Sequence, residues 1–479
     1  MSKGIIYNLI SRLIFILGAY AIHVYLARIL GPEKYGVFGV CVAIITIGYL
    51  FLDNGVRQIV SKSSAKFPES AKYFLKKGII VQLTISTLLG LFLIIFAKNI
   101  AFILNDRDLI IPLYLSGIII ITQSLNFVYT GALNGLKKFG YESAVVSAYG
   151  FVRPVVAILL IYLGFEVMGA LAGFLIASIV AVMLGIILTR NFGNKKYDAI
   201  KVSNILKSSI PITVIFGGIT IIMNFDLLSV KHFMPEGQFS GYYTSAAAIS
   251  KLAYWFLFAF GSVLLPFISS SFHKNDIKQS RKYINEVIRY SLLIVLPMVF
   301  LFSFYADNAV CLIYGEAYQP AGNVLKILIF GLANLGLISI FSHIMIGINR
   351  ETIMIGYSLM GVVTVIVLNI ILVPRIGMIG AAISTTISAG VVAILSYSFI
   401  KRRLKMQLNV VSILKVISSI FFMLLIAYGI NGVEVNFVIK AVVLYLGYFL
   451  FLVLFKEINN DDVNVVKNLV LSFSNKDSK

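Results

Sequence analysis

The stretch MGALAGFLIASIVAVMLGIILT, Met168 to Thr189, runs 22 residues without one charged side chain. As a helix rising about 1.5 Å per residue, it spans the roughly 30 Å hydrocarbon core of a bilayer. Runs of this kind recur along the whole chain. They are expected at 5–29, 36–56, 79–103, 109–133, 141–163 and 168–189, then at 205–230, 239–270, 287–306, 322–346, 353–373, 378–399, 411–430 and 436–455. With 59% hydrophobic residues, 13% charged residues and a mean hydropathy of +0.96, the 479-residue chain has more apolar surface than one aqueous core would cover. The reading is an all-α polytopic membrane protein with about 14 transmembrane helices. Ala19-Tyr20-Ala21 imitates a signal-peptidase site, but the apolar pattern continues through Ile22, Val24, Tyr25, Leu26 and Ala27, so the first run reads as a retained helix.

A formal charge of +20 raises nucleic-acid binding, and the placement of the bases decides against it. They alternate by loop. Lys62, Lys66, Lys72, Lys76 and Lys77 fall in the second loop, and Arg190, Lys195, Lys196, Lys201 and Lys207 in the sixth. Lys274, Lys278, Arg281 and Lys282 fall in the eighth, and Lys401, Arg402, Arg403 and Lys405 in the twelfth. Segments 162–168, 305–321 and 430–435 hold no Lys or Arg. The positive-inside rule then puts both termini and every even-numbered loop in the cytoplasm. Cys41 and Cys311 suggest no disulfide framework, and His23, His232, His273 and His343 lack metal-ligand spacing, so no metal site is expected.

The chain repeats itself. Ala27 to Phe38, with Gly31-Pro32-Glu33 and Gly36, follows the first helix as Lys231 to Tyr243, with Met234-Pro235-Glu236 and Gly241, follows the seventh. Gly36 and Gly241 are 205 residues apart, Gly135 and Gly347 are 212 apart, and Gly169 and Gly380 are 211 apart. An even number of helices per unit makes the units parallel repeats about an axis along the membrane normal. The expected organisation is two six-helix lobes, 1–200 and 201–403, then a C-terminal hairpin, 404–456, and a cytoplasmic tail, 457–479.

Charge within the membrane marks the candidate site, since an ionised side chain at a helix centre costs about 2.5–3.5 kcal/mol on insertion scales. Arg153 lies twelve residues after Tyr141 and Lys251 twelve after Phe239, each about 18 Å along its helix, so two cations from two lobes are expected near midplane. Arg57 follows Asp53-Asn54 at the basic end of helix two; Asp226 in helix seven and His23 and Arg28 in helix one extend the polarity the other way. The plainer alternative pairs Arg153 and Lys251 with Asp226 or with backbone carbonyls to hold the bundle together, and lets Arg28 and Arg57 snorkel to the interfaces.

Four segments together carry a resemblance. Leu26 to Val40, Leu52-Asp53-Asn54-Gly55-Val56-Arg57, Ile313-Tyr314-Gly315-Glu316-Ala317-Tyr318-Gln319-Pro320-Ala321, and Asn369 to Thr386 around Val373-Pro374-Arg375-Ile376-Gly377 resemble the polysaccharide-exporter branch of the multidrug, oligosaccharidyl-lipid and polysaccharide flippase superfamily. The likeness covers nearly the whole chain and is strongest to Wzx-type flippases. Many relatives have twelve helices, whereas two more are read here after residue 410.

The resemblance implies a flippase of the cytoplasmic (inner) membrane that moves undecaprenyl-pyrophosphate-linked oligosaccharide units by alternating access, for O-antigen (lipopolysaccharide) or capsule. It implies no catalytic residues and no cofactor beyond Na+ or H+ coupling. Lipid-linked oligosaccharide and membrane lipid are the implied partners, with a polysaccharide polymerase and a chain-length regulator as further candidates and no nucleic acid. Arg153, Lys251, Arg57 and Arg28 are the expected pyrophosphate and sugar contacts; Asp226, Asp53 and His23 are the coupling candidates. A lipid II flippase, a drug or cation antiporter of the same superfamily, and a polymerase or membrane glycosyltransferase are the alternatives. An enzyme of that kind would carry a large charged outer loop, an ATPase would show Gly-x-x-x-x-Gly-Lys, and a cation antiporter would favour acidic cavity residues.

Overall fold

The computed structural model of the protein describes residues 2–53, 55–195, 202–274, 276–406, 410–432 and 436–458. Asn54, Lys196, Lys201 and the tail beyond 458 lie outside the described residues, as does the Lys207 side chain. The helices are α1 (Ser2–Asp53), α2 (Val56–Lys66), α3 (Ala71–Ile95), α4 (Ala97–Ile103), α5 (Ile110–Gly135), α6 (Phe139–Leu160), α7 (Glu166–Thr189), α8 (Val202–Phe233), α9 (Gly237–His273), α10 (Ile277–Phe304), α11 (Ala306–Tyr314), α12 (Ala321–Gly347), α13 (Glu351–Leu404), α14 (Val410–Gly429) and α15 (Phe437–Leu454). Among the described residues there is no strand, and eleven helical segments are long and apolar enough to cross a membrane.

Three of those segments, Ile10–Leu50, Phe139–Thr189 and Glu351–Leu404, run 41, 51 and 54 residues. One crossing needs only about 20. Each breaks in its middle at a glycine of positive φ: Gly31 at 74°, Gly164 at 89° and Gly377 at 60°. A Cβ is disfavoured in that region and glycine has none. The first break is a reversal, because His23 Nδ1 and Tyr35 Oη lie 2.7 Å apart, whereas twelve residues of straight helix would separate them by about 18 Å. Eleven segments, three of them doubled back, make the expected fourteen crossings.

Two lobes and a hairpin result. α1, α3, α5, α6 and α7 pack on one another, as do α8, α9, α10, α12 and α13, and α1 meets α8 and α9 across the divide. α14 and α15 lean on α10 through Leu301, Tyr305, Met423 and Tyr448. Tyr305 Oη donates to Ala427 O at 2.8 Å, and Tyr448 Oη to Leu293 O at 3.0 Å. α10 begins ten residues before the expected position 287, because its first turns are amphipathic rather than apolar. Ser280, Ile284 and Ile288 are buried there while Lys278 and Lys282 stay exposed, a pattern that a search for uncharged runs passes over.

Helix α6 shows how the lobe is built around the site. Phe151, Val155 and Leu159, one turn apart, are exposed on the face that lipid covers. The opposite face buries Tyr149, Gly150, Arg153, Pro154 and Ala157. A Cβ on Gly150 would lie 2.9 Å from Phe15 Cα, and one on Gly18 would lie 2.2 Å from Gly150 O, so only glycines allow α1 and α6 this approach. That contact brings the Arg153 guanidinium against the α1 backbone.

Candidate functional site

Between the lobes lie two chambers of about 550 and 370 Å³ that share Phe15, Asp53, Gln123, Phe127, Tyr149, Thr220 and Trp255 in their walls and therefore join. The larger reaches the end of the molecule that carries the basic loops, past Arg12, Arg57, Asn134 and Glu142. The smaller runs toward the glycine breaks and holds Arg153, His23, Phe38 and Phe174.

At its far end the cavity is sealed by the repeat itself. A Cβ on Gly36 would lie 2.8 Å from Gly241 N, and one on Gly241 would lie 1.9 Å from Pro32 O, so the two equivalent glycines of the repeat meet across the lobe boundary. Tyr20 Oη also crosses it, donating to Ala248 O at 2.7 Å. Two reciprocal contacts flank this seam. Arg28 Nε and Nη2 donate to Ile313 O (2.9 Å) and Leu312 O (2.5 Å), beside Tyr318 Oη to Ala27 O at 2.9 Å. In the corresponding place of the other lobe, Lys231 Nζ lies 2.5 Å from Asp106 Oδ2, and Asn105 Nδ2 donates to His232 O at 3.0 Å.

Arg153 is 5% exposed. Its guanidinium carbon stands 4.9 Å from the ring centres of Phe15 and Phe174 and 5.2 Å from that of Tyr149, and Nη2 donates to Phe15 O at 3.3 Å. Among the described residues no carboxylate lies within 4 Å of it. Three rings hold the cation in place and leave its charge uncompensated. Arg57 differs, since Nη1 lies 2.8 Å from Asp53 Oδ1 and Nη2 lies 3.5 Å from Glu142 Oε1, while Glu142 Oε2 accepts from Asn134 Nδ2 at 2.9 Å. Arg57 and Asp53 line the mouth as an ion pair.

The other expected site residues separate. Lys251 Nζ lies 3.4 Å from Asn224 Oδ1 and is not among the side chains lining either chamber. Asp226 is 1% exposed and accepts from Tyr243 Oη (2.6 Å), Thr385 Oγ1 (2.9 Å) and its neighbour's Leu227 N (2.8 Å). It lies within 4 Å of neither Arg153 nor Lys251, so the expected pairing of these groups does not form. Arg28 is exposed at the sealed end and spent on carbonyls of the opposite lobe, away from the cavity, because the reversal at Gly31 aims it outward along the seam. His23 does line the deep chamber, hydrogen-bonded to Tyr35 at its floor.

Sequence reading missed Arg12, Gln123, Asn126, Glu142 and Trp255 as wall residues. Arg12 is exposed toward the chamber with no carboxylate within 4 Å among the described residues, and it sits one turn before Phe15, whose carbonyl Arg153 touches. Its position near a helix start resembles ordinary snorkelling, and only the opposite wall reveals the difference.

Fold and site together define a polytopic, two-lobed membrane protein with a polar chamber lined by both lobes. The chain belongs to the polysaccharide biosynthesis protein family, whose model matches residues 25–323. It is 25% identical over 407 residues to a putative O-antigen transporter of Shigella flexneri, covering 80% of this chain and 94% of that protein. It is 24% identical over 377 residues to the probable low-salt glycan biosynthesis flippase Agl15 of Haloferax volcanii, covering 78% and 77%. Among solved structures the lipid II flippase MurJ, in an inward closed conformation, superposes with a TM-score of 0.75 at 18% identity over 95% of this chain and 99% of that one, a likeness of fold.

Proposed function

We propose that the protein is a flippase that carries oligosaccharide linked to a polyprenyl pyrophosphate across the cytoplasmic membrane, and that it is not an enzyme. The observation that carries this reading is Arg153, buried in the chamber wall with no counter-ion. A buried charge of this kind calls for an anion. The diphosphate of a glycolipid supplies one, and its hydroxyl-rich head needs a wet path through hydrocarbon that a chamber lined by Gln123, Asn126, Thr130 and Asn134 offers. Arg12, one turn before Phe15 on α1, and Arg153, which reaches the Phe15 carbonyl from α6, hold the two phosphates; Arg57 orders the mouth. An arginine fork suits phosphate oxygens better than a lysine does.

The basic loops face the cytoplasm with both termini, so the chamber opens inward here and is sealed outward. Rocking of the lobes reverses this. Asp226, wedged between α8, α9 and α13 within one lobe, couples the motion to Na+ or H+. O-antigen or capsular units are the proposed cargo class, with a polymerase and a chain-length regulator receiving them. The cationic chamber argues against an exporter of cationic drugs.

The test is rescue of surface polysaccharide in cells that lack the protein, at matched membrane abundance. Arg153→Ala and Arg12→Ala are expected to lose rescue and Lys251→Ala to retain part of it. Normal rescue by both arginine variants would remove the diphosphate site and with it the basis of the flippase reading.

A further inference from the structure

The two walls of the chamber are chemically unlike. Every cation and carboxylate lining it comes from the first lobe: Arg12, Arg57, Arg153, Asp53 and Glu142. Both lobes contribute rings, but the second lobe's lining holds no lysine, arginine, aspartate or glutamate. Phe216, Tyr254, Trp255, Phe258 and His343 of that lobe line the chamber, with Thr220. These rings form one connected sheet across α8, α9 and α12. Trp255 stands edge-on to Tyr254 (5.1 Å between centres) and Phe258 (5.8 Å), Phe258 edge-on to His343 (5.7 Å), and His343 meets Phe216 at 5.2 Å. Trp255 is the chain's single tryptophan, and it remains 44% exposed although it lines an internal cavity.

Its position is the second observation. Trp255 belongs to the walls of both chambers, at their junction, and with Thr220 it is the second lobe's whole contribution to the deep chamber that holds Arg153. Trp255 is therefore the second-lobe ring that shares the deep chamber with Arg153.

We infer that Trp255 is the platform on which the pyranose bonded to the diphosphate stacks, so that first-lobe arginines hold the phosphates while the second lobe reads the sugar. A pyranose presents one face of aliphatic C–H groups, and a rigid indole offers a large apolar surface to it at little cost in side-chain freedom. The ring sheet behind fixes the indole's orientation. The inference rests on the flippase reading and adds a consequence. Only a lipid that carries both diphosphate and sugar bridges the two lobes, and bare polyprenyl pyrophosphate engages one wall alone.

The single tryptophan makes this testable with the full-length protein in lipid nanodiscs. Titration with a polyprenyl pyrophosphate bearing one pyranose is expected to change the tryptophan emission saturably, and bare polyprenyl pyrophosphate to leave it nearly unchanged. With radiolabelled lipids, Trp255→Ala is expected to lower affinity for the glycolipid about tenfold, to the level of the bare lipid, with bare-lipid binding unaltered. Trp255→Tyr, which keeps a stacking face, is expected to retain most of the preference and controls for folding. Equal affinity of Trp255→Ala and wild type for the glycolipid, or identical emission changes with both lipids, overturns the platform while leaving the diphosphate site standing. Failure of wild type to bind either lipid, or binding by Arg153→Gln that equals wild type, overturns the flippase reading and the platform together.

Discussion

Three arginines in one chamber differ by what surrounds them, and that difference ranks their roles. Arg153 has rings and a carbonyl, whereas Arg57 has two carboxylates, one of them on Glu142, whose side chain is 6% exposed. Replacing Arg57 by Ala leaves Glu142 buried without its cation, and breaking a buried pair in this way costs about 3–5 kcal/mol where burial is complete and less at this half-open mouth. Arg57→Ala is therefore expected to lower the thermal midpoint of the purified protein, and Arg57→Ala with Glu142→Gln to recover part of the loss. Arg153→Ala leaves no buried acid behind and is expected to lower the midpoint less while costing transport more. A double-mutant cycle on Arg57 and Glu142 with no coupling would show that the pair is not formed in the membrane. Depth along a helix, counted from the sequence, puts Arg153 and Lys251 at one level; that Arg153 lines the chamber while Lys251 meets Asn224 depends on which neighbour each helix face packs against, which depth does not say.

At the scale of elements, the sealed end is held by matching pieces of the repeat. The end of α1's first half docks on the last turn of α11 and on Tyr318 beyond it, and the end of α8 docks on the residues after α4. Lys231 is fully buried in its contact with Asp106, so removing the acid leaves a buried cation without its partner while the seam is closed. Asp106→Asn is expected to shift the population toward the state open at this end, because the lysine gains hydration only when the seam parts. A cysteine in place of Ser240, a near-isosteric change at a buried position whose side chain faces Gly36 across the seam, reports it. Its labelling by an impermeant maleimide added from that side should rise several-fold in Asp106→Asn. Unchanged labelling would mean that the Gly36–Gly241 contact alone seals the end.

For the whole molecule, the alternation of charge makes a prediction independent of any site. Single cysteines at positions 62, 274 and 402 are expected to react with an impermeant maleimide only after the membrane is opened, and one at position 431 without opening it. Reaction of the first three in intact cells would invert the orientation and with it the direction in which the chamber faces. Contact across the divide is carried largely by α1 against α8 and α9, so these are the contacts that any rocking of one lobe on the other has to change.

The sequence by itself determined the fourteen crossings, the repeat and its offsets, and the alternation of basic loops, because each rests on residues near one another in the chain and on the thickness of a bilayer. It also marked the glycines, though not that Gly36 and Gly241 would touch. Only the tertiary structure decided which cations face the chamber, that Arg57 is neutralised and Arg153 is not, that Asp226 is held by Tyr243 and Thr385, and that a wall of rings stands opposite the arginines. Compensation of a charge depends on side chains brought together from helices far apart in the chain, which no local pattern records.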